Sequence, residues 1–241
     1  MTAAAGAVVT LAQLNLPSRP FWDEQVVAQW LSVSLLAFFI CYDAARSVNY
    51  ALRATRIREY DKDLRAALSA IIASVVESTG APWDEIAVHY YRRRGILLRR
   101  RLFQVAAVQA GADIANATQP IRWGEGVVGV AVDDQVILGE EWRQFVRTAT
   151  EEGPSAWARR SKRDRYGLTW GQLRRSAQPQ GMIASPTFDP DGRPEGCILV
   201  SGPLKRVDLE GEAMGRTLDN LATVLDRLGQ PPSGWWDAHV N

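Results

Sequence analysis

The chain has 241 residues, 46% of them hydrophobic, and its 28 basic and 27 acidic side chains leave a formal net charge of +1. That is enough for one large domain, or for one domain with an appendage, and for a buried core. It excludes a molecule drawn to nucleic acid or lipid by its overall charge, so any such attraction must come from local clusters. Arginine supplies nearly all the positive charge, the only lysines being Lys62, Lys162 and Lys205, and codon bias in a high-GC genome accounts for this more simply than phosphate binding. Cys41 and Cys197 stand in no CxxC or Cys/His spacing, so neither a zinc site nor a disulfide framework is written here, and a reducing compartment is expected for the folded part.

Residues 1–22 read as a tail, rich in alanine and without the basic start of a secretory signal. Residues 23–42 are predicted to form an apolar helix. Its centre, QVVAQWLSVSLLAFFICY from Gln25 to Tyr42, runs for 18 residues without a charge. As a helix that spans roughly 27 Å, just under a hydrocarbon core of about 30 Å. Apolar residues occupy all its sides, which marks a helix buried in protein or in lipid. Only Arg19 precedes it, whereas Arg46, Arg53, Arg56, Arg58, Lys62 and Arg65 follow, a bias that leaves the carboxy-terminal side in the cytoplasm. Two readings stay open: a transmembrane span, or a helix packed in an oligomer or against the main domain.

Residues 43–80 are predicted to continue as a connecting or dimerisation helix. Val48, Leu52, Tyr60, Leu64, Leu68, Ile72 and Val75 recur at helical spacing, and Gly80 and Pro82 end the run. Strands are predicted over Ile86–Arg94 and Ile96–Val108, with a turn at Gly95. A glycine-rich stretch, PIRWGEGVVGVAVDDQ, follows at Pro120–Gln135. A mixed helix-and-loop region covers Glu140–Gln180. Strands at Met182–Phe188 and Gly196–Ser201 flank the turn Asp189-Pro190-Asp191-Gly192-Arg193. A last amphipathic helix runs from about Val207 to Leu228, with Leu209, Met214, Leu218, Leu221, Val224, Leu225 and Leu228 on its apolar side.

This order resembles the GAF domain family. The resemblance is carried by IRWGEGVVGVAVDDQ, similar to the family's glycine-bounded helix, and by GMIASPTFDPDGRPEGCILVSGP at Gly181–Pro203, similar to its final hairpin. It implies an α+β fold: a GAF-like antiparallel sheet flanked by helices over residues 81–228, preceded by the long amino-terminal helix and followed by a tail at 229–241. It also implies a ligand held between the sheet and the variable middle segment. Trp123, Trp142, Trp157 and Trp170 fall in or near that segment and are the candidate ligand-binding residues. Against the family's known chemistries the chain lacks the NKxxF…DE signature of cyclic-nucleotide binders. It also lacks the several pocket cysteines of the free methionine sulfoxide reductases.

The formal GxGxxG of Gly124, Gly126 and Gly129 lacks the βαβ context of a dinucleotide site, and its glycines are read as opening a tight turn into a helix. His89 reads as a structural histidine. No nucleophile, base and carboxylate can be nominated together, so the chain is expected not to be an enzyme and to hold no metal or cofactor. Arg92, Arg94, Arg99 and Arg101 flank one hairpin turn and form a candidate patch for an anionic partner, unless nearby carboxylates pair with them. The basic run Arg159–Arg165 reads as a solvated loop, and no nucleic-acid partner is expected.

The expectation is a membrane-tethered sensory or regulatory module, homodimeric, that binds a small ligand or a protein partner and relays the change to an output in another protein. The alternative is a structural adaptor subunit of a membrane-associated complex with no ligand.

Overall fold

The computed structural model describes residues 2–14, 16, 20, 25–94, 101–110 and 119–239. After a first helix, α1 (Thr2–Gln13), helix α2 runs without interruption over Val26–Thr79. The chain divides into two compact units, one of Met1–Arg58 with Pro232–Ala238, the other of Glu59–Pro231 with His239–Asn241.

In the first unit α2 leaves its apolar residues open. Val27, Trp30, Leu31, Phe38 and Ile40 are each more than 60% exposed. One 18-residue window of the helix reaches a mean hydropathy of 1.4 with none of it buried, so by length and composition it can cross a membrane.

In the second unit the same helix behaves as a core element. Tyr60, Leu64, Leu68, Ile71, Ile72 and Val75 are buried, at the spacing that lines one helical face. A six-stranded sheet follows: β1 (Ala87–Arg94), β2 (Arg101–Gln109), β3 (Ile121–Arg122), β4 (Leu138–Glu140), β5 (Gly181–Phe188) and β6 (Pro194–Gly202). Every pairing is antiparallel, in the order β3-β2-β1-β6-β5-β4. The two hairpins predicted far apart in sequence therefore meet at β1 and β6, where Val88 faces Val200 and Tyr91 faces Cys197. The predicted turn at Gly95 and the strand start at Ile96 lie outside the described residues. Strand β4, three residues long, was not expected.

Helices α3 (Gly126–Asp134), α4 (Trp142–Arg159) and α5 (Trp170–Arg175) stand between β3 and β5 in the chain. Their buried residues form one cluster with Tyr91, Leu102, Ala184 and Cys197 of the sheet. Alternation sends Tyr90, Ile183, Ile198 and Val200 to the opposite face. That face meets α2 and the last long helix, which are tied together by a 3.2 Å hydrogen bond between Ser74 and Thr217. The carboxy-terminal helix predicted as one piece is two: α6 (Arg206–Leu209) and α7 (Glu212–Leu228), the break falling at Glu210–Gly211. Met214, Leu218, Leu221 and Leu225 are buried, but Val224, predicted on the apolar side, is 42% exposed. A short helix, α8 (Trp235–His239), follows. This is the antiparallel sheet flanked by helices, after a long first helix, that the resemblance implied.

Candidate functional site

The cluster face of the sheet is not filled completely. A cavity of about 370 Å³ remains between Tyr91 of β1, Met182 and Leu199 of β5 and β6, Val127 and Val128 of α3, and Trp142 of α4. Leu168, Gln172 and residues 119–121 complete its walls. The lining is mostly apolar, as ligand cavities are.

The glycine-rich stretch builds one wall. Gly124 and Gly126 adopt φ of 70° and 68°, which allows the chain to leave β3 and start α3 almost at once. Gly167, at φ 62°, lets a second loop cross the first, and a Cβ there would stand 2.0 Å from the Gly124 carbonyl oxygen. The amide of Gly126 donates to the Tyr166 carbonyl at 2.8 Å, joining the two loops. Thr169 caps α5 with a full capping box: its hydroxyl accepts from the Gln172 amide, and the Gln172 side-chain oxygen accepts from the Thr169 amide at 2.8 Å. The Gln172 side-chain amide then donates to Glu125, which precedes α3. One glutamine thus fixes the start of α5 to the start of α3 at the cavity wall.

Of the four tryptophans predicted to bind ligand, only Trp142 lines this cavity. Its indole N–H donates to the Ala177 carbonyl at 3.0 Å, which fixes the ring. Trp157 is fully buried and packs against Trp170, with centroids 6.2 Å apart. Trp123 and Trp170 lie partly buried against the same cluster. Phe145 and Tyr166 join them, with Tyr166 set edge-on to both Phe145 and Trp142. Trp123, Trp157 and Trp170 therefore support the wall and do not form it. Tyr166 also donates its phenol hydrogen to Glu140, and burial together with that carboxylate pushes its pKa well above the ordinary value. Reading the sequence missed Tyr91, Glu125, Leu168 and Gln172. The T-x-x-Q spacing of Thr169 and Gln172 was the available signal for the last.

The arginine patch is not a free cluster. Arg92, only 6% exposed, is ion-paired to Glu195 and donates to the Gly229 carbonyl at 2.9 Å. Arg94 lies over the Phe103 ring, 6.0 Å from its centroid, and faces Arg101 across β1 and β2. Arg101 is exposed, and Arg99 lies outside the described residues. In the second basic run Arg160 pairs with Glu152 and Arg163 with Asp134. Arg92 also borders a second cavity, of about 570 Å³, on the opposite face of the sheet beside Tyr90, Thr187 and Asp226. Burial pushes the Tyr90 phenol up to about 12.

Cys197 is fully buried in β6, and burial pushes its thiol far above the ordinary range, so little reactive thiolate forms there. Burial holds His89 below its usual pKa, with Gln104 opposing the shift. Among the described residues no three His, Cys, Asp or Glu side chains gather as a metal site would require.

No protein-family model matches the sequence, and no curated protein matches it. Solved structures do. A type II free methionine-R-sulfoxide reductase from Thermoplasma acidophilum is 17% identical with a TM-score of 0.43, over 70% of this chain and 93% of that one. The GAF domain of an Acinetobacter phosphoenolpyruvate-protein phosphotransferase is 14% identical with a TM-score of 0.43, over 75% and 92%. A free methionine-R-sulfoxide reductase from Neisseria meningitidis, solved with its substrate, is 19% identical with a TM-score of 0.41, over 74% and 88%. The expectation that the chain is not an enzyme is corrected by these neighbours. Free methionine-R-sulfoxide reductases stand beside GAF domains among them.

Proposed function

We propose that this protein is a membrane-tethered GAF-type regulatory module. It binds a small ligand in the cavity beside Trp142 and Tyr91, with the compact unit on the cytoplasmic side of the cell membrane. The observation that carries the reading is the cavity itself: a largely apolar hollow of about 370 Å³, open to the surface, whose walls fix one another through Gln172 and the crossing of two glycine loops. Concave, mostly apolar hollows with a few polar groups at their walls are where small ligands bind. The exposed apolar run of α2 supplies the tether, and the basic residues that follow it set the orientation. The continuation of the same helix into the core of the second unit gives ligand binding a route to the tether, and pairing of two copies through α2 would pass the change to a partner protein.

Native mass spectrometry of the full chain, extracted in detergent, tests this. A bound small molecule is expected, and Trp142→Ala is expected to lose it. An empty cavity together with a stoichiometric protein partner would replace the sensor by a structural adaptor.

A further inference from the structure

The polar groups around the cavity identify the chemistry of its occupant, an inference that rests on the ligand-binding reading above. Most polar side chains in the wall are already committed. Trp142 donates to Ala177, the Ser176 hydroxyl donates to the Leu173 carbonyl at 2.7 Å, and Gln172 is held by Thr169 and Glu125. Gln119 is exposed at the mouth. What is left over are donors. Tyr91 is 6% exposed and lines the cavity; no hydrogen bond of its hydroxyl is seen among the described residues, and that oxygen is not among the fully buried unpaired atoms, so it is open to the cavity space. Helix α3 begins without a side-chain cap, and the amides of Val127 and Val128, in its first turn at the cavity wall, have no acceptor among the described residues. The first N–H groups of a helix need external acceptors, and an open hydroxyl donor can serve the same acceptor.

The sign of charge narrows the class further. An uncapped helix start attracts anions. Here, however, Glu125 immediately precedes the helix and lines the same cavity, so a carboxylate ligand would meet a like charge. A neutral acceptor meets the same donors without that repulsion. We propose that the cavity takes an uncharged, largely apolar molecule that presents a carbonyl-type oxygen to the Tyr91 hydroxyl and the first amides of α3. Burial keeps Tyr91 protonated, and therefore a donor, throughout the physiological range.

Three matched probes test the assignment on the full chain in detergent, with Trp fluorescence as readout: 4-phenyl-2-butanone, butylbenzene and 4-phenylbutyrate. Tyr91→Phe removes only an unpartnered hydroxyl, and probe partitioning into micelles cancels between wild type and variant. The variant is expected to weaken ketone binding about 3- to 10-fold, the worth of one net hydrogen bond, and to leave butylbenzene unchanged. The wild type is expected to bind the ketone more tightly than the carboxylate. Unchanged ketone affinity in Tyr91→Phe, or a carboxylate that binds more tightly than the ketone, overturns the assignment and leaves ligand binding intact. If none of the three binds, the assignment falls; ligand binding itself falls only if native mass spectrometry also finds the cavity empty.

Discussion

At the scale of single residues, burial is what separates the charged groups that hold this protein together from those that only face water. Arg92 projects from a strand onto the face that carries Tyr90 and Val88, and it is tolerated there because Glu195 and the Gly229 carbonyl accept its hydrogens. His89 has the opposite problem. It is largely buried, and the cost of desolvating the imidazolium holds its pKa below the ordinary value near 6.5. Well above that value the side chain is neutral whether folded or unfolded, and it contributes nothing to the pH dependence of stability. As pH falls through about 6.5 the unfolded chain takes up a proton that the folded chain refuses, so stability falls until the depressed folded pKa is also passed. Urea midpoints measured from pH 7.5 to 5.5 are expected to drop less for His89→Gln than for the wild type. Parallel slopes would show that His89 is not held neutral by burial.

At the scale of elements, legibility depended on length and on local chemistry. The hairpin β5–β6 was readable because its alternation is sustained and because its turn is written in the residues: the Asp189 carboxylate accepts from the amides of Asp191 and Arg193, and Gly192 takes φ of 75°. Strand β4 was not readable, since three residues carry no period. Helix α4 was blurred by Gly153, at φ 84°, and Pro154, which kink it internally. The glycine-rich entry to α3 was recognised as a tight turn, but the role of Gly129 emerges only in three dimensions. A Cβ at Gly129 would stand 2.4 Å from the Arg122 carbonyl oxygen, a backbone atom that cannot swing aside. Gly129→Ala is therefore expected to lower unfolding free energy by about 1–3 kcal/mol in urea titrations. The control is Gly215→Ala in α7, where nothing lies within 4 Å, and there a gain of up to about 1 kcal/mol is expected from helix propensity. Equal effects at the two positions would mean that the close approach of β3 to α3 carries no weight.

The candidate site was the least legible part for a related reason. Its walls come from positions as far apart as Tyr91 and Leu199, and only the antiparallel register that joins β1 to β6 brings them to one face. Tryptophan content pointed to the region around this cavity, because large aromatic residues must be buried somewhere. It could not say which ring faces a cavity and which backs the wall. That distinction rests on the contact between Trp157 and Trp170 and on the anchor from Trp142 to Ala177.

At the scale of the whole molecule, one helix has to satisfy two environments. From Tyr60 to Val75 one apolar face is buried in the compact unit, whereas between Val26 and Tyr42 Val27, Trp30, Leu31, Leu35, Phe38 and Ile40 are open. A contiguous apolar surface of this kind needs a cover, either protein or lipid. The uncharged stretch 25–42 is long enough to cover roughly 27 Å of the bilayer, and charges bound it at Glu24 and Asp43. Lipid as the cover predicts that the full chain sediments with membranes, withstands alkaline carbonate and is released by detergent. It also predicts that Leu35→Arg combined with Phe38→Arg moves the protein out of the carbonate-resistant fraction, since each arginine near the centre of a span costs about 2.5–3.5 kcal/mol on insertion. The unchanged compact unit should keep its melting transition in that variant, because neither position contributes to its core. A full chain that stays in the supernatant without detergent would mean that protein covers this helix, and the tether would become a pairing surface between copies or with a partner.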